Sequence, residues 1–169
     1  MDQSDDVRRR TAVHEAGHAV MACVLGLRFA AVSIEANQSH GFSGCLIWDD
    51  GQPLSAPIQI DLSAHEPYIL TLAAGYVAEC EVFGALGEGD VIGALHDMGQ
   101  IATIAAEVIP TDGDAMAYVR GISNRVADEL HRRRSSLEAV ADRLLQEGRL
   151  TRADVSDLVG VHGEGVSPT

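Results

Sequence analysis

A mainly α-helical domain with a small β-hairpin or sheet is the fold class this sequence predicts, on three observations. Apolar residues recur at three- and four-residue spacing through most of the chain and alternate at period two only between residues 30 and 48. Aromatic residues are only 4% while alanine is abundant, which suits packed helices better than a β-sandwich. The chain has 169 residues, 46% of them hydrophobic, enough to bury one core and too apolar for disorder. No internal repeat or long linker divides it, so residues 1–160 are expected to form one domain and 161–169 a frayed tail.

The elements follow from local signals. A helix is expected from about Ser4 to Gly26: Ser4 caps it, Asp5 and Asp6 suit its first turn, and Val13, Ala16, Val20 and Val24 share a face. Past Ala16 it is apolar nearly all round, as a buried central helix is. Two strand-like runs follow, Ala30 to Ala36 and Phe42 to Trp48, joined by the polar residues 37–41. The first run should place Val32, Ile34 and Ala36 on one face and Ala31, Ser33 and Glu35 on the other. Asp49 to Pro57 reads as a loop. Ser63 and Glu66 have capping-box spacing and open a helix to about Phe83, in which Ala73, Ala74 and Gly75 make a small-residue face for close helix packing. The glycine-rich stretch 84–93 reads as a loop or a frayed helix start. A helix from Ala94 to Ile109 ends at Pro110, and another begins at Asp112 or Asp114 with Ala115, Val119, Ile122, Val126 and Leu130 along one face. Ser135 and Glu138 open a short helix through Leu145, and Thr151 caps a final turn or two.

Charge narrows the function. The net charge is −13, and all 12 basic residues are arginine. That balance argues against nucleic-acid binding, which depends on neutralising phosphates, and against anionic membrane surfaces. No apolar stretch is long enough to span a bilayer, and the polar N-terminus lacks a signal-peptide core, so a cytoplasmic protein without membrane insertion is expected. Cys23, Cys45 and Cys80 show no CxxC spacing, which fits a reducing compartment and argues against a cysteine zinc site.

The chemistry lies in His14-Glu15-Ala16-Gly17-His18, an HExxH motif on the first helix. Residues four apart share a helix face, so both imidazoles reach one ion, and neutral imidazole suits zinc. Glu15 is one step round, placed to take a proton from a water as that water attacks a carbonyl. The plainer reading is a pair of histidines satisfied by buried partners. Two imidazoles and a carboxylate on so apolar a helix are costly to bury without a function, which favours the metal. From the residues alone, Asp97, Glu79 and Asp90 all stay open as a third ligand. An aspartate near a helix start, such as Asp97, is ordinarily a cap or a dipole partner.

The stretch Ala12 to Val20 resembles the zinc motif of the FtsH-type metallopeptidases, the protease domain of membrane-bound AAA proteases. Val32 to Ile34 with Gly41-Phe42-Ser43 resembles that family's strand pair, and Leu72 to Glu79 its Gly-Gly-Arg-x-Ala-Glu helix. His96-Asp97-Met98-Gly99-Gln100 with Ile104-Ala105 is similar to its Asn-Asp-Leu segment, and Leu137 to Leu150 to its C-terminal helical segment. The resemblance implies a helical zinc-peptidase fold with the hairpin beside the active site. It implies Zn2+ held by His14, His18 and Asp97, Glu15 as general base, and Glu79 as a partner behind a ligand rather than a ligand. It also implies a hairpin edge, formed by residues 31–35 or 43–47, on which an extended peptide pairs.

Two departures qualify that likeness. His96 stands where the family has Asn or Ser, and solvent exposure is its plainest role. No Walker A motif is present, and without lysine none can be. The expected activity is therefore zinc-dependent endopeptidase cleavage of unfolded polypeptide, ATP-independent in itself, with a separate ATPase partner and a homo-oligomer left open. The alternative is a non-catalytic zinc-binding regulatory or interaction module on the same fold. The remaining histidines, His40, His65, His131 and His162, lack ligand spacing and read as surface residues. Arg132-Arg133-Arg134 reads as a solvated helix end and Trp48 as a core or edge anchor.

Overall fold

The structure, a computed structural model, describes residues 3–35, 44–54, 65–84, 92–110 and 113–161. Among them are six helices and three strands: α1 Gln3–Val24, β1 Phe29–Ser33, β2 Cys45–Trp48, α2 His65–Phe83, α3 Ile92–Val108, α4 Ala115–Arg132, α5 Arg134–Glu147, β3 Arg149–Thr151 and α6 Arg152–Val159. The architecture is mainly helical with a small antiparallel sheet, as the apolar periodicity predicts. No helix among the described residues is long and apolar enough to cross a membrane.

α1 is the central element. It is buried without a break from Ala12 to Cys23 and packs on α2, α5 and α6. It meets α2 backbone to side: a Cβ on Gly17 would lie 2.3 Å from the Ala74 carbonyl oxygen and 2.6 Å from the Ala78 Cβ. The small-residue face of α2 is thus filled by α1. On its other sides α2 packs against α3 and α4. In α4 the expected face is buried at Ile122, Val126 and Leu130, while Ala115 at its start is exposed.

The small sheet carries one strand beyond the two that the sequence shows. Its order is β2-β1-β3, so β1 is central, pairing Val32 with Leu46 on one side and with Leu150 on the other. Residues 31–33 are therefore no edge, which corrects one of the two expected peptide-binding segments. Ile34 is closed off too, because its N–H donates to the Gly148 carbonyl at 2.9 Å. The expected two-face alternation also fails. The β1–β2 register shifts between Phe29 and Ala31, and Ala31, Val32 and Ser33 are all buried where β1 meets α1 and α6. The segment read as a loop from Asp49 folds back on β2: Trp48 N–H donates to the Gln52 carbonyl and Leu54 N–H to the Leu46 carbonyl.

One helix start departs from expectation. α5 begins at Arg134 directly after α4, with Arg133 capping both ends and no side-chain cap, so Ser135 is not the cap. It ends at Gly148 in the left-handed conformation (φ 76°), and Leu150 then lies in β3. Asp114 does cap α4, accepting from the Ala117 N–H, and Thr151 forms a capping box with Asp154 at α6. The three arginines at the α4–α5 junction are ion-paired, Arg132 and Arg133 to Glu129 and Arg134 to Glu81 and Glu138. The connection 37–41, most of the glycine-rich stretch, Ser63, Asp112 and the tail beyond Val161 lie outside the described residues.

Candidate metal centre

His14 and His18 lie one turn apart on the α1 face that meets α2. Their rings meet edge to face, with centroids 4.6 Å apart and an interplanar angle of 83°. His18 Nδ1 is 2.7 Å from the Thr71 carbonyl oxygen, which can only accept, so that nitrogen carries the proton. His14 Nδ1 sits 2.8 Å from Glu79 Oε1 and donates to the carboxylate in the same way. With both Nδ1–H groups so engaged, both Nε2 lone pairs turn the other way.

They turn toward each other and toward Asp97. The two Nε2 atoms are 3.0 Å apart, and Asp97 Oδ2 is 3.0 Å from the first and 3.2 Å from the second. Three lone-pair atoms at contact distance repel unless they share a cation, either a proton or a metal ion. His14, His18 and Asp97, all buried, form a group that could hold a metal ion. Bonds of about 2.0–2.1 Å at tetrahedral angles place donor atoms about 3.3 Å apart, within a few tenths of an ångström of the distances here. The structure thus brings together the three residues that the resemblance implies as ligands. It sets Glu79 behind His14, on the nitrogen remote from Asp97. Such a partner fixes the ring and raises its basicity. Asp90 lies outside the described residues.

The same geometry explains the titration of the metal-free cluster. Burial alone would lower the His14 pKa, but hydrogen bonds to Asp97 and Glu79 and the charge of Glu15 outweigh it and raise it to about 10. Burial would raise Asp97, yet the neighbouring His18 and His14 hold it well below the usual carboxylate range. Both shifts favour a proton held between these groups.

Glu15 is only 6% exposed, and its Oε2 has no hydrogen-bond partner among the described residues. Burial raises its pKa; the His18 and His14 charges oppose the rise, and those of Asp97 and Glu79 add to it. A buried carboxylate oxygen without a partner is costly in a folded protein. Gly44, just before β2, presses against it: a Cβ there would lie 2.8 Å from both Glu15 Cγ and Oε1. The start of β2 thus runs directly beside Glu15. The adjacent Cys45 thiol is pushed up by burial and by the Glu15 charge.

Gly75, read from the sequence as part of a face for helix packing, is needed at the site itself because its Cβ would fall 2.5 Å from His14 Nε2 and 2.6 Å from His18 Cε1. Other parts of the site carry no sequence signal. The Thr71 carbonyl that orients His18 is backbone and has no residue preference to betray it. Tyr68, at the start of α2, is buried near Asp97, and burial together with that charge pushes its phenol well above the ordinary value. His96 is exposed and contacts Gln100, as its plainest reading held. His65 bonds the Tyr118 hydroxyl and His131 bonds Glu81, both away from the centre, while His40 and His162 lie outside the described residues. Trp48 is half-buried, its ring 6.1 Å from that of Tyr68. Compared with known proteins, the chain matches no protein-family model and no curated sequence at a significant level.

Proposed function

We propose that this chain is a zinc-dependent endopeptidase-like domain of the FtsH type, hydrolysing peptide bonds of unfolded polypeptide with His14, His18 and Asp97 as ligands and Glu15 as general base. The observation that carries the reading is the convergence of three lone-pair atoms at 3.0–3.2 Å beside a buried carboxylate oxygen that lacks a partner among the described residues. A proton shared within the trio satisfies the ligands alone. It leaves Glu15 unexplained, whereas a hydrolytic site requires a base in that position.

Zinc in such a site supplies Lewis acidity, polarising a carbonyl oxygen and making a water acidic near neutral pH. The chain's own groups do the rest. Glu79 and the Thr71 carbonyl lock the two imidazoles with Nε2 facing inward. Asp97 contributes one negative charge against the cation. Glu15 accepts the proton of the attacking water at Oε2 and returns it to the amide nitrogen as the peptide bond breaks. Burial raises its pKa above the ordinary carboxylate value, which makes it a stronger base than a solvated glutamate. An extended substrate fits the start of β2, beside Glu15. There the described residues supply no outer strand, since the return through Gln52 and Leu54 covers only Leu46 and Trp48.

The unpartnered Glu15 oxygen weighs against the non-catalytic module, which has no need of it. Glu15→Gln keeps the shape and removes the base. The expected result is about one zinc per chain in both proteins, with cleavage of an unfolded polypeptide only by the wild type. Unchanged cleavage by Glu15→Gln contradicts the mechanism, and wild-type zinc uptake without cleavage returns the reading to the binding module.

A further inference from the structure

The helices that supply the metal centre are held to different degrees. α1 is buried from Ala12 to Cys23 and α2 from Tyr68 to Gly75, whereas the described buried residues of α3 form one stripe, Asp97, Ile101, Ile104 and Ala105. A side-chain tip lies about 5–6 Å from its helix axis, so a roll of about 20° would carry the Asp97 carboxylate about 2 Å. Metal–ligand distances tolerate about 0.2 Å. Hydrophobic burial is non-directional and resists such a roll weakly, so a directional contact is required.

Gln100 provides one. It lies three residues beyond Asp97 on α3, and its side-chain oxygen is placed 2.9 Å from the Tyr68 hydroxyl, which is itself 2.7 Å from the Leu54 carbonyl oxygen. The other amide atom of Gln100 is 3.0 Å from His96 Nε2. One phenol proton cannot serve two acceptors, and the Leu54 carbonyl has no proton to give. Turning the Gln100 amide by half a turn, which exchanges oxygen for nitrogen in place, gives each of these three contacts one donor and one acceptor. Tyr68 then donates to Leu54, Gln100 donates to Tyr68, and His96 donates from Nε2 to Gln100. The chain of bonds ties α3 to the start of α2 and to the strand return at Leu54.

We propose that Tyr68 and Gln100 are positioning residues for the third metal ligand: the Tyr68 hydroxyl, anchored on Leu54, holds the Gln100 amide and fixes the rotation of α3 that presents Asp97 to His14 and His18. The proposal rests on the metal reading of that trio.

The test is the zinc affinity of the full chain, measured by competition with a chromophoric chelator. Tyr68→Phe and Gln100→Leu should each weaken zinc about tenfold, and the double variant by about the same tenfold, because both break one connection. In an Asp97→Asn background, Tyr68→Phe should leave the residual affinity unchanged. A general structural role would instead weaken zinc in both backgrounds and make the two single losses multiply; either result overturns the proposal. So do single variants that bind zinc like the wild type. A wild type that takes up no zinc refutes the metal reading itself, and the positioning role with it. Gln100 is only half-buried, so Gln100→Leu keeps the test decisive where Tyr68→Phe fails to fold.

Discussion

On one side of the candidate metal centre α1 and α2 meet with no room for a methyl group between them; on the other, α3 reaches it with a single buried carboxylate. The first side is rigid by construction. Gly17 lies against the Ala74 carbonyl and Gly75 against both imidazoles, and the hydrogen bonds to Glu79 and Thr71 are buried with them. On the second side, Leu95 and Met98 flank Asp97 and are exposed, at 68% and 38%. The contrast teaches that two ligands are set by close packing of two buried helices, while the third comes from a helix with a single buried stripe, whose orientation depends on a few directional contacts such as Tyr68–Gln100.

The sharpest way to break this comparison is to place the same methyl group on each side. Gly17→Ala puts a Cβ 2.3 Å from backbone that cannot swing aside, and should cost about 3 kcal/mol in urea unfolding. A loss below about 1 kcal/mol would mean that the α1–α2 contact is looser than described.

A middle-sized effect comes from pH. In the metal-free protein, His14 rises from its ordinary 6.5 to about 10, so its contribution to stability is complete below about 6.5 and is lost as pH climbs toward 10. Asp97, lowered, contributes above its ordinary range and loses that contribution as pH falls below it. Zinc competes with the proton, so its affinity should rise with pH over the same interval in which metal-free stability falls. Unfolding with chelator and with saturating zinc, at pH 6.5 and 8.5, should show the gap widening at the higher pH. A constant gap would show that no proton is displaced.

The smallest effect is expected on α3. Gly99→Ala meets nothing within 4 Å on an exposed helix face, so it should stabilise the protein by about 0.5–1 kcal/mol through helix propensity alone. A destabilisation of the Gly17→Ala size would erase the difference between the two sides.

The same division governs what the sequence reveals. His14, Glu15 and His18 are legible because helical spacing is local, and the burial of α1 follows from its apolar run. Asp97 is less legible: nothing within the chain near residue 97 ranks it above Glu79, since the choice depends on which imidazole nitrogen each carboxylate approaches, and that is set by packing between distant helices. β3 escapes for a related reason. Arg149-Leu150-Thr151 is too short to show alternation, and its strand character comes from pairing with β1, more than a hundred residues earlier. The missed cap at Ser135 reflects a direct helix-to-helix junction at Arg133, where the chain turns without a side-chain cap. The Tyr68–Gln100 contact joins two unremarkable polar residues and becomes visible only when α2 and α3 are side by side.

The most direct test of the account is zinc-edge X-ray absorption of the zinc-loaded protein. It predicts one zinc per chain, with a shell of nitrogen and oxygen atoms at about 2.0–2.1 Å, the outer-shell scattering of two imidazoles, and no sulfur. A sulfur shell at about 2.3 Å, drawn from Cys23, Cys45 or Cys80, or a protein that retains no zinc, would contradict it.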